Sequence, residues 1–568
     1  MPAEYFASWR VPDLVRDRER NPLDLYSTVS AKLLYPQAKS SDTQQAGQTI
    51  PLFHATTWAA QPTAPNKKQK QKTRCEDLLC YVGGAVWSLD WCPGSEGTDD
   101  DPQHFAVGVH PGGRTKTVIG EAVSGSALVQ IWSAPSETSS NSMSTTTALP
   151  EMQLGLWHQG GLTWDCKWCP CDTATQTNST SSSSMPRLGL LALVLGNGEL
   201  QVLAVPQPAA AQQALLPGDK DSSVLQQVGP DPLLVDLPPV AWLQPPAFGN
   251  SLPSVVEWLP VPPHDLLLVG FWDGSVAVVR LQPGTAPPPS TPVALQGQGA
   301  APACKSADRA LQHDMVLLVH FQVDATALRA VAWCSPQVGQ QEAMEQRHLF
   351  ITAGHLGFVR LWDSRDCSKP IYQRRVSSIA RLLCLQWTHL LDPPGWLLGT
   401  DDGAVMYESS HPSQQGQSWQ DAHLRRVESQ KGSHGTHNVT REIRGENTGA
   451  IWSLHCCPSN GMVAYGGEDG EVAICKEPML QDSRHRRAHT AVAGLLVRDE
   501  GTEVRPAQYY KQHDAGVYQG AKPAKLRGLA HANQSVHRVR WSPNGGQAAW
   551  LAHGGAAGIV WLQRLSLR

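Results

Sequence analysis

Three cysteines crowd the stretch CKWCPC, and the spacing of Cys166, Cys169 and Cys171 includes a C-x-x-C step that can chelate a metal. A zinc site of that kind needs a second pair of ligands to complete a tetrahedron. No second pair follows at zinc-ribbon spacing. On a strand, positions three apart point to opposite faces, so packing of core and strand end is the simpler reading. His485 and His489, in RHRRAHT, have the i, i+4 spacing of two ligands on one helix face. They stand in a polar stretch with no glutamate between them, which reads as a solvated basic loop. Two basic clusters are the other candidates: Lys67, Lys68, Lys70, Lys72 and Arg74, and Arg484, Arg486 and Arg487. Such runs touch phosphates or an acidic partner through salt-sensitive, sequence-blind contacts. The alternative is a solvated linker, and without interleaved aromatics or a recognition helix neither run reads bases.

Catalysis needs a convergent constellation, and the usual signatures are missing from the sequence. It holds no G-x-x-x-x-G-K-[ST] phosphate loop, no G-x-S-x-G elbow and no H-E-x-x-H. The expectation is therefore a protein that is not an enzyme, with no cofactor, no resident metal and no small-molecule substrate. Trp87, Trp164 and Trp452 recur at one position of a repeated phrase, where they either pack between sheets or stack on a ligand near a central channel; packing is the simpler reading.

That phrase is the strongest organising signal. GAVWSLDWCP at 84–93 returns as GAIWSLHCCP at 449–458. Its pattern, apolar-x-x-apolar-x-Trp, recurs as Val86/Leu89/Trp91, Thr163/Cys166/Trp168, Pro253/Val256/Trp258, Leu328/Val331/Trp333, Leu382/Leu385/Trp387, Ile451/Leu454/Cys456 and Val536/Val539/Trp541. These seven copies predict inner strands near 85–91, 162–168, 253–258, 328–333, 382–387, 450–456 and 536–541. After most copies comes an apolar strand, a Gly turn and an alternating strand. Asn197-Gly198, Asp273-Gly274, Asp402-Gly403 and Asp469-Gly470 suggest type I′ hairpins. A further strand precedes several copies: VLLVHF (316–321), IYQRRV (371–376), NVTREI (438–443) and KLRGLA (525–530).

Units of four strands that cannot bury both faces alone cover one another when arranged radially. The predicted fold is all-β: a seven-bladed WD40-type β-propeller over 76–568, with long disordered insertions and an N-terminal extension over 1–75 that is mostly irregular and ends in the basic linker. The last unit lacks an outer strand, so EDLLCYV (76–82) is expected to close the ring against 558–565. Residues 134–150, 172–186, 206–252, 282–310, 410–436 and 477–523 are polar or rich in Ser, Thr, Pro, Ala and Gln, and read as mobile loops.

The 568 residues carry a formal net charge of -4, so no global positive field holds nucleic acid. No apolar run is long enough for a bilayer, no secretory pattern opens the sequence, and most of the thirteen Cys sit in apolar segments. A soluble, intracellular protein without membrane contact is expected.

Together GGAVWSLDWCP, LTWDCKWCP followed by RLGLLALVLGNGELQVLAV, LLLVGFWDGSVAVVRL, LRAVAWC with FITAGHLGFVRLWDSR, and GAIWSLHCCPSNGMVAYGGEDGEVAI resemble the WD-repeat subunit of transcription factor IIIC, the general factor of RNA polymerase III. The likeness runs over 76–476 and more weakly through the last unit; only Trp362-Asp363 keeps a Trp-Asp ending, an erosion the family shares. The resemblance implies a nuclear scaffold that pairs with the other subunits, chiefly the large one, in the subcomplex engaging internal promoters of transfer-RNA genes. It implies contact with DNA mainly through the complex. No site residues carry over, because the matching positions are strand core. The alternative is a WD40 adaptor or substrate receptor in another nuclear complex, of chromatin or a ubiquitin ligase.

Overall fold

In the computed structural model, the residues described are 11, 15–16, 25–26, 30–34, 47–58, 77–94, 102–110, 118, 120–135, 148–171, 185–215, 232–282, 315–334, 347–377, 380–390, 394–409, 440–444, 449–475, 489–498, 501–506, 532–544 and 548–566. Each copy of the repeated phrase is a strand. They are β1 (Val86–Trp91), β2 (Thr163–Trp168), β3 (Pro253–Trp258), β4 (Leu328–Trp333), β5 (Leu382–Thr388), β6 (Ile451–Cys456) and β7 (Val536–Trp541). Apolar, β-branched and aromatic residues buried on both faces suit such central positions. Each of these strands begins one sheet, and none of the seven sheets seen among the described residues closes on itself.

Sheets two to five have four antiparallel strands each. In the third, β3 is followed by Leu266–Phe271, Ser275–Leu281 and Met315–Gln322. The seven inner strands touch in sequence order, and β7 touches β1, so the contacts form a closed circuit. The cores lie between neighbouring sheets: Trp91, Trp258 and Trp541 are almost wholly buried, as are Trp132 and Trp561 further out. A single α-helix, Pro208–Leu215, occurs among the described residues, and no helix there is long and apolar enough to cross a membrane.

The inner strands share two features that explain the repeat. Trp91 donates its indole N–H to the Arg540 carbonyl at 3.1 Å, Trp258 to Lys167 at 2.8 Å and Trp333 to Glu257 at 3.3 Å. In each case the acceptor precedes the equivalent Trp of the preceding inner strand. A large apolar ring thus fills the gap between sheets, and its one polar atom ties two inner strands together. The second feature is a β-bulge: in all seven the pairing skips the second residue, between Val86 and Ser88, Thr163 and Asp165, Pro253 and Val255, Leu328 and Ala330, Leu382 and Cys384, Ile451 and Ser453, and Val536 and Arg538. The bulge puts residues three apart on one face, which accounts for the apolar-x-x-apolar spacing.

Asp77–Tyr81 pairs antiparallel with Ile559–Ser566, from Ile559 opposite Tyr81 to Gln563 opposite Asp77. The Asp77 carboxylate accepts from Trp561 Nε1 at 3.1 Å and Gln563 Nε2 at 2.8 Å.

Several expectations are corrected. The hairpin turns are not type I′, because Gly198, Gly274, Gly403 and Gly470 have φ of 87°, 89°, 89° and 80° while the Asn or Asp before each has negative φ. They are type I turns with a left-handed Gly, and the side chains of Asn197, Asp273 and Asp469 accept the N–H two residues on. The N-terminal segment is not simply irregular. Ser30–Leu34 pairs parallel to Gly501–Pro506 and antiparallel to Gly47–Pro51, and Ala55–Thr57 extends the seventh sheet. Burial of Leu33, Leu34, Ile50 and Leu52 drives this, since apolar side chains scattered in sequence gather on sheet edges.

Two stretches read as mobile loops also hold strands. Within 206–252, Leu233–Asp236 lies parallel to Glu151–His158 and Ala241–Leu243 edges the second sheet. Within 477–523, His489–Arg498 and Gly501–Pro506 extend the sixth sheet, burying Val492, Ala493, Leu495 and Val504. His489–Arg498 thus takes the outer place assigned to KLRGLA, which lies outside the described residues. Much of the other insertions lies outside them too.

Candidate functional site

The basic clusters, Lys67, Lys68, Lys70, Lys72 and Arg74, and Arg484, Arg486 and Arg487, lie outside the described residues, as does His485. The cysteine stretch divides between two cores. Cys166 packs with Trp168 and Leu193 on one face of the second sheet, and Cys169 and Cys171 pack on the other. The Cys169 and Cys171 sulfurs are 3.2 Å apart, and burial pushes the Cys169 thiol well above its usual pKa, so it stays a neutral packing group. Among the described residues no group of three His, Cys, Asp or Glu is placed to hold a metal ion.

What the sequence does not announce is a ring made by the bulges. The skipped residues are Trp87, Trp164, Ser254, Arg329, Leu383, Trp452 and His537, one from each inner strand. Several converge at the centre of the circuit. The Trp87 ring stacks on His537 at 4.3 Å between centroids and on His110 at 5.3 Å. It meets Trp164 and Trp452 edge-on at 6.0 and 6.3 Å. Trp164 in turn meets Trp272 edge-on at 5.0 Å. The Arg329 guanidinium sits 5.4 Å from the Trp87 centroid and 5.2 Å from that of Trp272. The bulge thus brings Trp164 and Trp452 edge-on against Trp87, while Trp164 also packs in the core between the second and third sheets.

Below this aromatic layer lies a polar one, in a cavity of about 60 Å³ lined by Asp165, Lys167, Glu257, Arg329, Arg538 and Arg540 among others. Lys167 Nζ is 2.9 Å from Glu257, and Arg538 Nη2 is 3.5 Å from Asp165. Asp165 also accepts the Val256 N–H at 3.2 Å, and Asp90 accepts the Trp168 N–H at 2.8 Å, so these carboxylates fasten β1 to β2 and β2 to β3. Burial raises Asp90 to about 6, and burial lowers His537 to about 4 and Arg329 to about 10. Burial, the largest single influence, works against the Lys167 ammonium, but Glu257, Asp90 and Asp165 together outweigh it and the Lys167 pKa is raised. At neutral pH Arg329 therefore stays a cation and His537 stays neutral.

These groups offer charge, N–H donors and aromatic faces in a fixed frame. Cys384, the thiol lining the cavity, is held neutral because burial pushes it up to about 12. The fold and the site define a mostly β protein of ring-packed sheets with a small polar cavity among the inner strands.

No protein-family model matches the chain. Among curated proteins it is 24% identical over 547 residues to human General transcription factor 3C polypeptide 2, covering 85% of this chain and 52% of that protein. The orangutan (Pongo abelii) protein of the same name matches to the same extent. Transcription factor tau subunit sfc6 of Schizosaccharomyces pombe is 23% identical over 512 residues, which is 89% of this chain and 67% of that protein. The chain spans about half the length of the first two relatives, at 52% of each. It is a homologue of these transcription factor IIIC subunits.

Proposed function

We propose that the chain is a non-catalytic scaffold subunit of transcription factor IIIC, built over 76–568 as a seven-bladed WD40-type β-propeller. In this reading it supports recognition of internal promoters of transfer-RNA genes, and RNA polymerase III transcription, through protein–protein contacts in the nucleus. Its partners are the other subunits, chiefly the large one. DNA is met mainly through the complex, with the basic runs at 67–74 and 484–487 as sequence-blind phosphate or partner contacts. The observation that carries the reading is the likeness to human General transcription factor 3C polypeptide 2, which covers 85% of this chain. Seven sheets whose inner strands form a closed circuit support the architecture. The repeated Trp-to-carbonyl bonds and bulges support the blade-like equivalence of the sheets.

The experiment is affinity purification of the tagged full chain from nuclear extract. Recovery of the other transcription factor IIIC subunits is expected. Recovery of a cullin adaptor or a chromatin complex without them refutes the assignment in favour of an adaptor. Purified alone, the chain is expected to bind DNA weakly and lose it steeply as salt rises; tight, salt-tolerant, sequence-selective binding contradicts an indirect role.

A further inference from the structure

The cavity among the inner strands carries more positive than negative charge. Lys167, Arg329, Arg538 and Arg540 line it, against Asp165 and Glu257. Each of these carboxylates already has a cation, Glu257 the Lys167 ammonium at 2.9 Å and Asp165 the Arg538 guanidinium at 3.5 Å. Arg329 and Arg540 have no carboxylate within ion-pair distance among the described residues. Asp90 stands outside the lining, and although its charge interacts with Lys167 and Arg540, counting it still leaves the cations in excess. Burial and the Arg538 charge both lower the Arg329 pKa; burial lowers that of Arg538 too, where Asp165 pulls back against a further push from Arg540. The guanidinium groups therefore lie close enough to repel one another.

The hydrogen bonds show the same shortage of acceptors. Arg538 donates from its terminal nitrogens to the His537 and Trp164 carbonyls, and Arg540 Nη1 donates to Ser453 Oγ and the Val539 carbonyl. The Nε atoms of Arg329, Arg538 and Arg540 and the Trp452 Nε1 are buried without an acceptor among the described residues, and all four side chains line this one cavity. Buried donors without acceptors are costly, and like charges repel more strongly away from water.

We propose that the cavity is a binding site for one free tetrahedral oxyanion, inorganic phosphate or sulfate, held by Arg329 and Arg540 with Arg538 Nε and the Trp452 indole as further donors. Charge selects an anion over water, which can accept from the N–H groups but leaves the excess positive charge unbalanced. Size selects among anions: about 60 Å³ gives room for about four water-sized groups, which the oxygens of one such ion match and a chloride ion does not fill. An ester of phosphate brings a substituent that this volume does not admit, so a nucleic-acid backbone or a phosphopeptide is not the occupant. Arg329 is on β4, Trp452 on β6, and Arg538 and Arg540 on β7, so the ion ties three inner strands together. The proposal stands on the cavity alone and holds whichever complex the chain serves.

The test uses the full chain in chloride-free buffer of constant ionic strength. Ion chromatography of the acid-denatured protein first counts any phosphate or sulfate that copurifies, and calorimetric titration at pH 7 with inorganic phosphate then measures binding. One saturable site is expected, for which sulfate competes and chloride and glycerol 3-phosphate do not. Arg329→Gln should weaken phosphate about tenfold, the worth of one charge-assisted hydrogen bond, while Arg365→Gln, which removes an exposed pair with Asp363, should leave it unchanged. Glu257→Gln removes a lining carboxylate and frees Lys167, so it should tighten phosphate severalfold. Circular dichroism and thermal melting check folding, and Glu257→Gln carries the test if Arg329→Gln does not fold. Absence of both a copurified oxyanion and a saturable phosphate site overturns the proposal, as does affinity that a folded Arg329→Gln leaves intact or that Glu257→Gln fails to raise. Chloride displacing phosphate at equal concentration, or glycerol 3-phosphate binding as tightly as phosphate, also overturns it.

Discussion

Trp91 donates its indole N–H to the main-chain carbonyl of Arg540 across a separation of 449 residues. The bond joins β1 to β7, so the same contact that spaces neighbouring sheets elsewhere also joins the first sheet to the last. Asn544 reinforces the seam through its side chain, donating to the Cys92 carbonyl at 3.1 Å. Such closure fixes two remote segments against each other, at a loop-closure cost that grows only slowly with length.

The repeated tryptophans should not be equivalent in energy. Trp258 and Trp168 are both almost fully buried, but Trp258 reaches the Lys167 carbonyl while the Trp168 indole N–H has no acceptor. Both Phe substitutions lose ring volume. Only Trp258→Phe gives up a hydrogen bond, so it should cost about 1 kcal/mol more than Trp168→Phe. Urea denaturation of both variants decides it, and equal midpoints would show that the indole bond contributes nothing.

Much of this frame is legible in the sequence and the ring is not, for a physical reason. Val86, Leu89 and Trp91 repeat because they fill the same gap between sheets, where volume and polarity are tightly constrained. The bulge residues drop out of the regular pairing and each meets different neighbours, Trp87 a stack of rings and Ser254 the carbonyls of Gly270 and Leu328, so each position is free to differ, and Trp87, Ser254, Arg329, Leu383 and His537 carry no common signature. The clue available was spacing: apolar residues three and then two apart do not fit one face of a regular strand, and a bulge resolves that. The added outer strands were hidden differently. Leu33 opposite Thr502 and Val235 opposite Leu156 are parallel pairings of short segments remote in sequence, which no local turn signal marks.

Asp77 makes the joint between the N-terminal strand and Ile559–Ser566 sensitive to pH. Burial raises its carboxyl from the usual 3.8 to about 6, against the pull of hydrogen bonds from Gln563 and Trp561. The folded state therefore keeps the proton between those values while the unfolded chain releases it. Asp77's contribution to stability is fully present below pH 3.8 and is lost as pH rises through about 6. Asp77→Asn should flatten this part of the pH profile, so that wild type loses more stability than the variant between pH 4 and 7. Urea midpoints measured across that range test it, and parallel profiles would remove Asp77 as the cause. Asp90, also raised to about 6, supplies a second decline in the same direction that the variant leaves in place.

Glu408 is a clamp between the fourth and fifth sheets. Fully buried, it accepts from Tyr372 Oη at 2.6 Å, Arg374 Nη1 at 3.0 Å and Trp396 Nε1 at 3.2 Å. Glu408→Ala orphans three donors, and breaking a buried pair costs about 3–5 kcal/mol when the survivor stays dry. The Arg374 side chain is 34% exposed and can turn to water, which puts the loss at the lower end. Tyr372→Phe removes one neutral donor and should cost about 1 kcal/mol. Thermal unfolding of both variants orders them, and a Glu408→Ala protein as stable as wild type would show that the clamp is dispensable.

In six of the seven sheets the residue opposite the bulge is Gly or Ala, packed close against the neighbouring sheet; the second has Val194 opposite Asp165, and the seventh Gly554 opposite Arg538. Gly108 faces Ser88, Gly270 faces Val255, Gly399 faces Cys384 and Gly466 faces Ser453, while Ala353 stands at the equivalent place in the fourth sheet. A Cβ added to Gly466 would lie 2.6 Å from Val536 Cγ1 and 2.9 Å from Val539 Cγ2, both on β7. Its backbone is ordinary extended strand, so the obstacle is the next inner strand and not the dihedral angles. Gly466→Ala should therefore destabilise by about 1–3 kcal/mol through overpacking. Adding Val536→Ala should relieve the clash, so the double variant falls short of the sum of the two single costs. Denaturation midpoints of the four proteins in this cycle give the coupling directly. Strict additivity would mean that the sixth and seventh sheets do not meet as closely as Gly466 and Val536 indicate.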